Sequence, residues 1–206
     1  MSCNSVLTIL IQNKMNKNSS SKVCPVERAG ALETPLRRLV QNPTKILKPY
    51  LKAGDKVLDF GCGPGFFTFD IAQLVGETGF VYAADLQAGM LEKVQNKIIS
   101  HNFQSRIKIH KCDESGIHLN DTVDFILAFY MIHELNDQDI AFQEFKKILK
   151  PNGKILIIEP NFHVTKVNFE DMILRLEKAD FKVAERPRFF FSRSVLIEPD
   201  NNSTNT

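Results

Sequence analysis

Along the 206 residues, short apolar runs of strand length alternate with segments whose apolar positions recur at helical spacing. The runs are Lys56 to Phe60 (KVLDF), Phe80 to Asp85 (FVYAAD), Arg106 to Lys111, Val123 to Phe129 and Lys154 to Ile158. Their length, β-branched content and flanking glycines predict buried strands. Between them the spacing predicts helices at Phe66 to Val75, closed by Gly76, at Met90 to Ser100 and at Asp137 to Leu149. The last would carry Ile140, Phe142, Phe145, Ile148 and Leu149 on one stripe. Upstream, Leu32 to Val40 has helical spacing. Asn42-Pro43 then reads as an N-cap followed by proline at the first helical position, opening a short helix to about Tyr50 that Gly54 ends. Strands joined by helices pair in parallel, because a parallel crossover needs roughly a dozen residues or more. The pattern is therefore that of an α/β sheet covered on both faces.

The rhythm breaks at the end. Glu170 to Ala179 is helical, but Phe181 to Ala184 and Phe189 to Ile197 are two strand-like runs separated only by Glu185 to Arg188, close enough for a hairpin. The last strand is expected to run antiparallel to its neighbour. One domain is expected over residues 25–198, with residues 25–52 as helical cover. The polar stretches within residues 1–24 and the tail 199–206 are expected to be disordered. Val6 to Ile11 has no basic segment before it and no small-residue cleavage pattern after it, so it reads poorly as a signal peptide, and Met15 is an alternative start.

Composition narrows the classes further. Hydrophobic residues make up 43% and charged residues 24%, which fits a globular chain and excludes collagenous and disulfide-scaffold types. The net charge of +2 is too even for a dedicated nucleic-acid binder. The four cysteines (Cys3, Cys24, Cys62, Cys112) form no C-x-x-C pair and have no nearby histidine at zinc spacing, so no metal site is expected and a reducing cytoplasm fits best. The longest apolar run, Phe125 to Ile132, is eight residues, too short for a membrane span.

The chemistry concentrates at Val57 to Phe66, where a predicted strand meets Gly61, Gly63 and Gly65 and then a predicted helix. Glycines there allow a tight turn and close approach of the backbone to a ligand, and N–H groups at the helix start can hold an anionic group. A dinucleotide turn, G-x-G-x-x-G, wants a third glycine at position 66, which is Phe66. Asp85 ends the second strand 20 residues after Gly65, near the spacing at which an acidic side chain reaches ribose hydroxyls. The two features together point to a nucleoside-type ligand.

On these residues the chain resembles the class I S-adenosylmethionine-dependent methyltransferases, specifically the small-molecule, UbiE-like or type 11 group, over roughly Pro43 to Ile197. The family's D-x-G-x-G-x-G motif stands as Asp59-Phe60-Gly61-Cys62-Gly63-Pro64-Gly65. Leu149-Lys150-Pro151-Asn152-Gly153-Lys154 resembles its L-K-P-G-G turn, with Asn152, a residue that tolerates positive φ, for the first glycine. The resemblance implies a Rossmann-like, doubly wound, mostly parallel seven-stranded sheet with a reversed last strand, and S-adenosylmethionine as cofactor. It implies that Gly61, Cys62, Gly63 and Gly65 meet the methionine part, that Asp85 binds the ribose, and that Asp113, with Glu114 beside it, faces the adenine. Leu86 and Ile117 could sandwich that ring or belong to the core. Asp59 either orients the amino acid portion or anchors loop N–H groups.

For the acceptor, strand four runs into Tyr130-Met131-Ile132-His133, and ligands of such sheets bind at the carboxyl ends of strands. The segment lacks the Asp/Asn-Pro-Pro-aromatic motif of many amino-methylating enzymes and the Pro-Cys nucleophile of cytosine-C5 enzymes. A small-molecule acceptor is expected. Positioning supplies much of such catalysis, and a general base, if used, is His133 or Tyr130, with His163 near the same mouth. Cys24 and Arg28 lie where the family's variable N-terminal lid falls. Arg186, Arg188 and Arg193 around Phe189-Phe190-Phe191 read as core and edge residues of the last strands. The rival readings are an RNA or protein methyltransferase, a non-catalytic cofactor-binding module, and a nucleotide-dependent oxidoreductase.

Overall fold

The computed structural model describes Arg38 and residues 41–201. Predictions that fall on Leu32 to Val40 (Arg38 excepted), Cys24, Arg28, residues 1–24 and residues 202–206 lie outside these residues. Pro199, placed in the expected disordered tail, instead pairs with Phe181 in the sheet, and the Asp200 N–H donates to the Asp180 carbonyl at 2.8 Å. The order of elements is α1 (Pro43–Leu47), β1 (Lys56–Phe60), α2 (Thr68–Val75), β2 (Phe80–Asp85), α3 (Ala88–Ser100), β3 (Ile107–Lys111), β4 (Val123–Phe129), a single 3-10 turn (Ile132–Glu134), α4 (Gln138–Ile148), β5 (Leu149–Pro160), α5 (Lys166–Lys178), β6 (Phe181–Glu185) and β7 (Ser192–Pro199). Asn42 caps α1 as expected, its side chain accepting the Lys45 N–H at 3.0 Å.

The seven strands form one sheet in the order β3-β2-β1-β4-β5-β7-β6. The first five pair in parallel, and β7 is antiparallel to both β5 and β6, as the terminal hairpin signal predicts. Successive residues of the inner strands feed opposite faces. Leu58, Ile126, Ala128, Ile155 and Ile157 pack under α4 and α5 with Phe142, Phe145, Phe169 and Met172. Val57, Phe125, Leu127, Leu156 and Ile158 pack under α1, α2 and α3 with Leu47, Ile71, Val75 and Val94. Burial on both faces is why these strands read as continuous apolar runs rather than as alternating ones.

Five local expectations are corrected. β5 begins at Leu149, because Leu149 pairs with Val123 before a register shift and Lys154 resumes opposite Phe125. Neither Asn152 nor Gly153 adopts positive φ. The glycine serves closeness instead, since a Cβ on it would lie 2.6 Å from Leu149 Cδ1 and 3.0 Å from the Asp124 carbonyl. Phe66 and Phe67 precede α2 in a turn, each buried, and form an edge-to-face pair. Phe189 to Phe191 form a loop rather than strand. Phe191 has φ 57°, and Phe190 and Phe191 are exposed. Arg186 there pairs with Glu170, and Arg193 Nε donates to the Val164 carbonyl. Ile140 is also more exposed than its helical stripe suggests, at 41%.

The chain leaves β1 toward β2 and β3 on one side and later leaves β4 toward β5 on the other. The carboxyl ends of β1 and β4 therefore flank the point where strand order reverses, where open α/β sheets form their ligand crevice. Among the described residues, no helix is long and apolar enough to cross a membrane.

Candidate active site

At the end of β1 the chain must turn sharply over β2, and it does so through Gly61 (φ 73°), Gly63 (φ 54°) and Gly65 (φ 94°). All three sit in the left-handed region that side chains disfavour. The Gly61 and Cys62 N–H groups both donate to the Ala84 carbonyl, at 2.8 and 2.9 Å, which pins the turn to the end of β2. Gly63 N–H donates to Asp85 Oδ2 at 2.9 Å, and Gln87 N–H donates to Asp85 Oδ1 at 2.7 Å. Gly61, Cys62 and Gly63 line a cleft of about 720 Å³, together with Asp85, Leu86, Asp113, Glu114 and Ile117. Gly65 is not part of the lining. A Cβ there would lie 2.9 Å from Phe69 and 3.3 Å from Val94, so this glycine lets the turn pack between α2 and α3.

Asp59 is buried and accepts the Thr68 hydroxyl at Oδ2, 2.6 Å away. The carboxyl thus ties β1 to the first residue of α2, and the loop N–H groups go elsewhere. Burial, partly countered by the Thr68 hydrogen bond and reinforced by the nearby Asp85 charge, pushes its pKa up to about 7. Asp85 is also buried. Its pKa is raised by that burial, against the Gln87 and Gly63 N–H groups and the Lys111 charge, which pull it down. The thiol of Cys62 is pushed well up by burial, and that of Cys112, also in the lining, to about 12, so both stay protonated and inert near neutrality.

The loop after β3 is a knot of hydrogen bonds. Asp113 Oδ1 accepts from Ser115 N–H, Ser115 Oγ, Gly116 N–H and His118 Nε2. These bonds, the Ser115 hydroxyl first, hold its carboxyl below the usual range. Oδ2 has no hydrogen-bond partner among the described residues. From α4, Glu144 reaches over and accepts the N–H groups of Ile117 and His118, the latter at 3.2 Å. Gly116 makes room for it: a Cβ there would meet the Glu144 carboxylate at 2.5 Å. Glu144 was not predicted, and on a polar helix face nothing in the sequence marks it.

Across the cleft, β4 delivers Tyr130 and Met131. Tyr130 has φ 57°, stacks on Phe129 at 4.2 Å, and its hydroxyl is engaged by Gln41 Nε2 at 2.8 Å and Ser192 Oγ at 2.7 Å. Met131 lies over the glycine turn, 2.8 Å from where a Gly61 Cβ would stand. His133 follows on the 3-10 turn, with Nδ1 2.5 Å from Oε2 of Glu159, the charged residue near the end of β5. Tyr130 and His133 line the cleft, and so does His163, with its ring 5.7 Å from that of His133. Glu159 was not predicted either, although a carboxylate closing the otherwise apolar run Ile155 to Ile158 is a signal that could have found it.

The site suits a nucleoside-bearing ligand. Its volume lies within the ~300–1,000 Å³ of small-molecule sites. Bare backbone at Gly61 and Gly63 faces it. A carboxylate offers about four lone-pair positions, and Asp85 spends two on backbone N–H groups, leaving two for hydroxyl donors. Among the described residues no cluster of three His, Cys, Asp or Glu could hold a metal.

Comparison with known proteins bears on the family and the fold. A family described as "Methyltransferase domain" matches residues 51–186. The ubiquinone/menaquinone biosynthesis C-methyltransferase UbiE of Cellvibrio japonicus (strain Ueda107) is 32% identical over 110 residues, 53% of this chain and 44% of that protein. The demethylmenaquinone methyltransferase of Lactobacillus johnsonii is 32% identical over 124 residues, 58% of this chain and 51% of that one. The chain thus spans about half the length of the curated relatives it matches. Among solved structures, a SAM-dependent methyltransferase from Aquifex aeolicus superposes with a TM-score of 0.78 at 29% identity, covering 85% of this chain and 98% of that one. A protein from Methanococcus maripaludis, with TM-score 0.71 and 20% identity over 85% of this chain and 90% of that one, shares the fold.

Proposed function

The chain belongs to the methyltransferase domain family, within the class I S-adenosylmethionine-dependent methyltransferases, and from that membership we propose that its cleft binds S-adenosylmethionine and methylates a small-molecule acceptor. One observation carries the reading: the bare backbone of Gly61 and Gly63 and the half-committed carboxylate of Asp85 meet in one cleft at the point where strand order reverses. When bound, the cofactor supplies an activated methyl group on a sulfonium, so the protein's own work is largely to hold the acceptor in line with it. Asp85 takes the ribose hydroxyls. Leu86 and Ile117 flank the adenine, whose amino group finds Asp113 and its neighbour Glu114. Gly61, Cys62 and Gly63 give the methionine part backbone to lie against, with Gly65 setting the turn and Asp59 fixing β1 to α2 beneath it. Tyr130 and His133 stand on the acceptor side. The relatives named for ubiquinone and menaquinone biosynthesis support a small organic acceptor.

Isothermal titration of the full chain with S-adenosylmethionine, S-adenosylhomocysteine and NAD tests the cofactor. Binding of the two adenosyl compounds and not NAD is expected, and NAD binding alone would overturn the reading. Label transferred from methyl-labelled cofactor into a small-molecule extract is expected, and label entering only RNA or protein would reassign the acceptor.

A further inference from the structure

The proposed cofactor cleft has a second, smaller chamber beside it, of about 240 Å³, lined by His133, Gln138, Glu159, His163, Asn168 and Met172 among others. His133 and His163 line both spaces. Glu159 is only 1% exposed, and both of its oxygens are assigned: Oε1 accepts the Ile132 N–H at 2.8 Å, and Oε2 meets His133 Nδ1 at 2.5 Å. An ionised carboxylate can only accept hydrogen bonds, so this contact puts the proton of a neutral imidazole on Nδ1 and leaves the lone pair on Nε2. Nε2 makes no hydrogen bond among the described residues. The same carboxylate holds the adjacent backbone N–H, so the ring and the turn that carries it are oriented as one unit.

We propose that His133 and Glu159 act as a general-base pair, Glu159 as the positioning residue and His133 Nε2 as the atom that takes a proton from the acceptor. The acceptor class is then a weakly acidic hydroxyl, a phenol or an enol, which loses a proton as it is methylated. A tertiary amine or a thioether gains its methyl without losing one and needs no such base. The acceptor's hydrogen bond to Nε2 becomes an N–H bond as the nucleophile bonds to the methyl carbon. The electron pair of the broken carbon–sulfur bond stays on sulfur. The imidazolium so formed faces the Glu159 carboxylate, and the polar chamber of Gln138, His163 and Asn168 gives water access to carry the proton away.

The groups facing His133 are Glu159 from β5, Glu134 on its own turn, His163 after β5, and the uncharged Gln138 of α4 and Asn168 of α5. Burial pulls the imidazole down, but the hydrogen bond and charge of Glu159, with Glu134, outweigh it and leave the ring above its ordinary value of 6.5.

This inference rests on the cofactor reading, and the test separates the two. Long-range proton–nitrogen NMR on the full, nitrogen-15-labelled chain, with and without S-adenosylhomocysteine, reports the tautomer and titration of the His133 ring. The Nδ1–H tautomer is expected at high pH in the wild type, a measurement that needs no variant. In Glu159→Gln the midpoint is expected to fall by about one pH unit, with S-adenosylhomocysteine affinity kept within about twofold. An Nε2–H tautomer, or a midpoint unmoved by E159Q, overturns the base pair whatever the cofactor does. Failure of S-adenosylhomocysteine to bind the wild type overturns the cofactor reading and leaves the tautomer result standing. Methyl transfer into the small-molecule extract is expected to fall below the wild-type midpoint and to drop at least roughly tenfold in His133→Asn. A rate flat between about pH 5 and 8 in the wild type, or unchanged in H133N, overturns the proposal.

Discussion

Replacing Asp85 probes the cofactor cleft most directly, because each of its oxygens already receives one backbone N–H, from Gly63 at 2.9 Å and Gln87 at 2.7 Å. The remaining lone pairs are what a ribose can use. A hydrogen bond to a charged group contributes about 1.5–3 kcal/mol. Losing the equivalent of one such bond in Asp85→Ala is therefore expected to weaken S-adenosylhomocysteine binding by roughly 10- to 150-fold. The fold should suffer less, by about 1–2 kcal/mol, because the two orphaned N–H groups border a cleft that water can enter. Asp85→Asn sharpens the test. An amide offers one oxygen, so its NH₂ must face one of the two N–H donors, and the substitution is expected to behave almost as badly as alanine despite its similar size. Isothermal titration gives the affinities, and thermal unfolding without ligand gives the structural cost separately. A D85A protein with an affinity within twofold of wild type would refute the assignment of the ribose to Asp85. Full affinity in D85N would refute the claim that both oxygens are needed.

Three further outcomes follow from the same geometry. Asp59 has a folded pKa of about 7 against an ordinary 3.8, so between roughly pH 4 and 7 the folded state holds a proton that the unfolded state has lost, and stability falls as pH rises across that window. Asp59→Asn removes this ionisation, so urea unfolding at pH 5 and pH 8 should show a smaller loss of stability at high pH than in the wild type; an equal loss would contradict the buried, titrating carboxyl. Gly61→Ala meets both a φ of 73° and Met131 at 2.8 Å, and is expected to cost about 1–3 kcal/mol in thermal unfolding together with cofactor affinity. Adding Met131→Ala removes Cγ and Cε but keeps the Cβ, itself 2.8 Å from the added methyl, so it should recover only part of the contact cost and none of the cost due to φ. Glu144→Ala strips the acceptor from the Ile117 and His118 N–H groups and is expected to weaken S-adenosylhomocysteine binding by about tenfold, a loss measurable by titration.

The parallel half of the sheet was legible because local and tertiary demands coincide there. β1, β2 and β4 have the predicted bounds, since strands buried on both faces are mostly apolar and the turns that bound them need glycine or polar residues. The failures lie where a partner far away in sequence decides. Leu149 to Lys154 carries Pro151, Asn152 and Gly153 and reads as a turn, yet Val123 recruits Leu149 into the sheet before the register shift. The phenylalanines at 189–191 read as strand, but the positive φ of Phe191 and the Phe191 carbonyl, which accepts the Asn161 N–H at 3.1 Å, divert them into a loop against the chain leaving β5.

The site divides along the same line. Gly61, Gly63 and Asp85 could be found because one βαβ unit supplies both the turn and the acid, and the backbone contacts between them depend only on local spacing. Glu144 and Glu159 could not be assigned in that way, because each acts on a loop 26 or 27 residues earlier in the chain, through contacts that exist only once α4 and β5 are docked. The division has a functional sense. In the proposed reading the glycine turn and Asp85 come from one βαβ unit, and the residues assigned to the adenine follow β2 and β3. Glu144, which holds the loop after β3, and Glu159, which holds the His133 ring, come from α4 and β5, so on the proposed reading a change at Glu159 leaves the glycine turn and Asp85 undisturbed. On this reasoning, substitutions at Glu159 should alter how His133 titrates while leaving cofactor affinity intact, and substitutions at Asp85 should do the reverse.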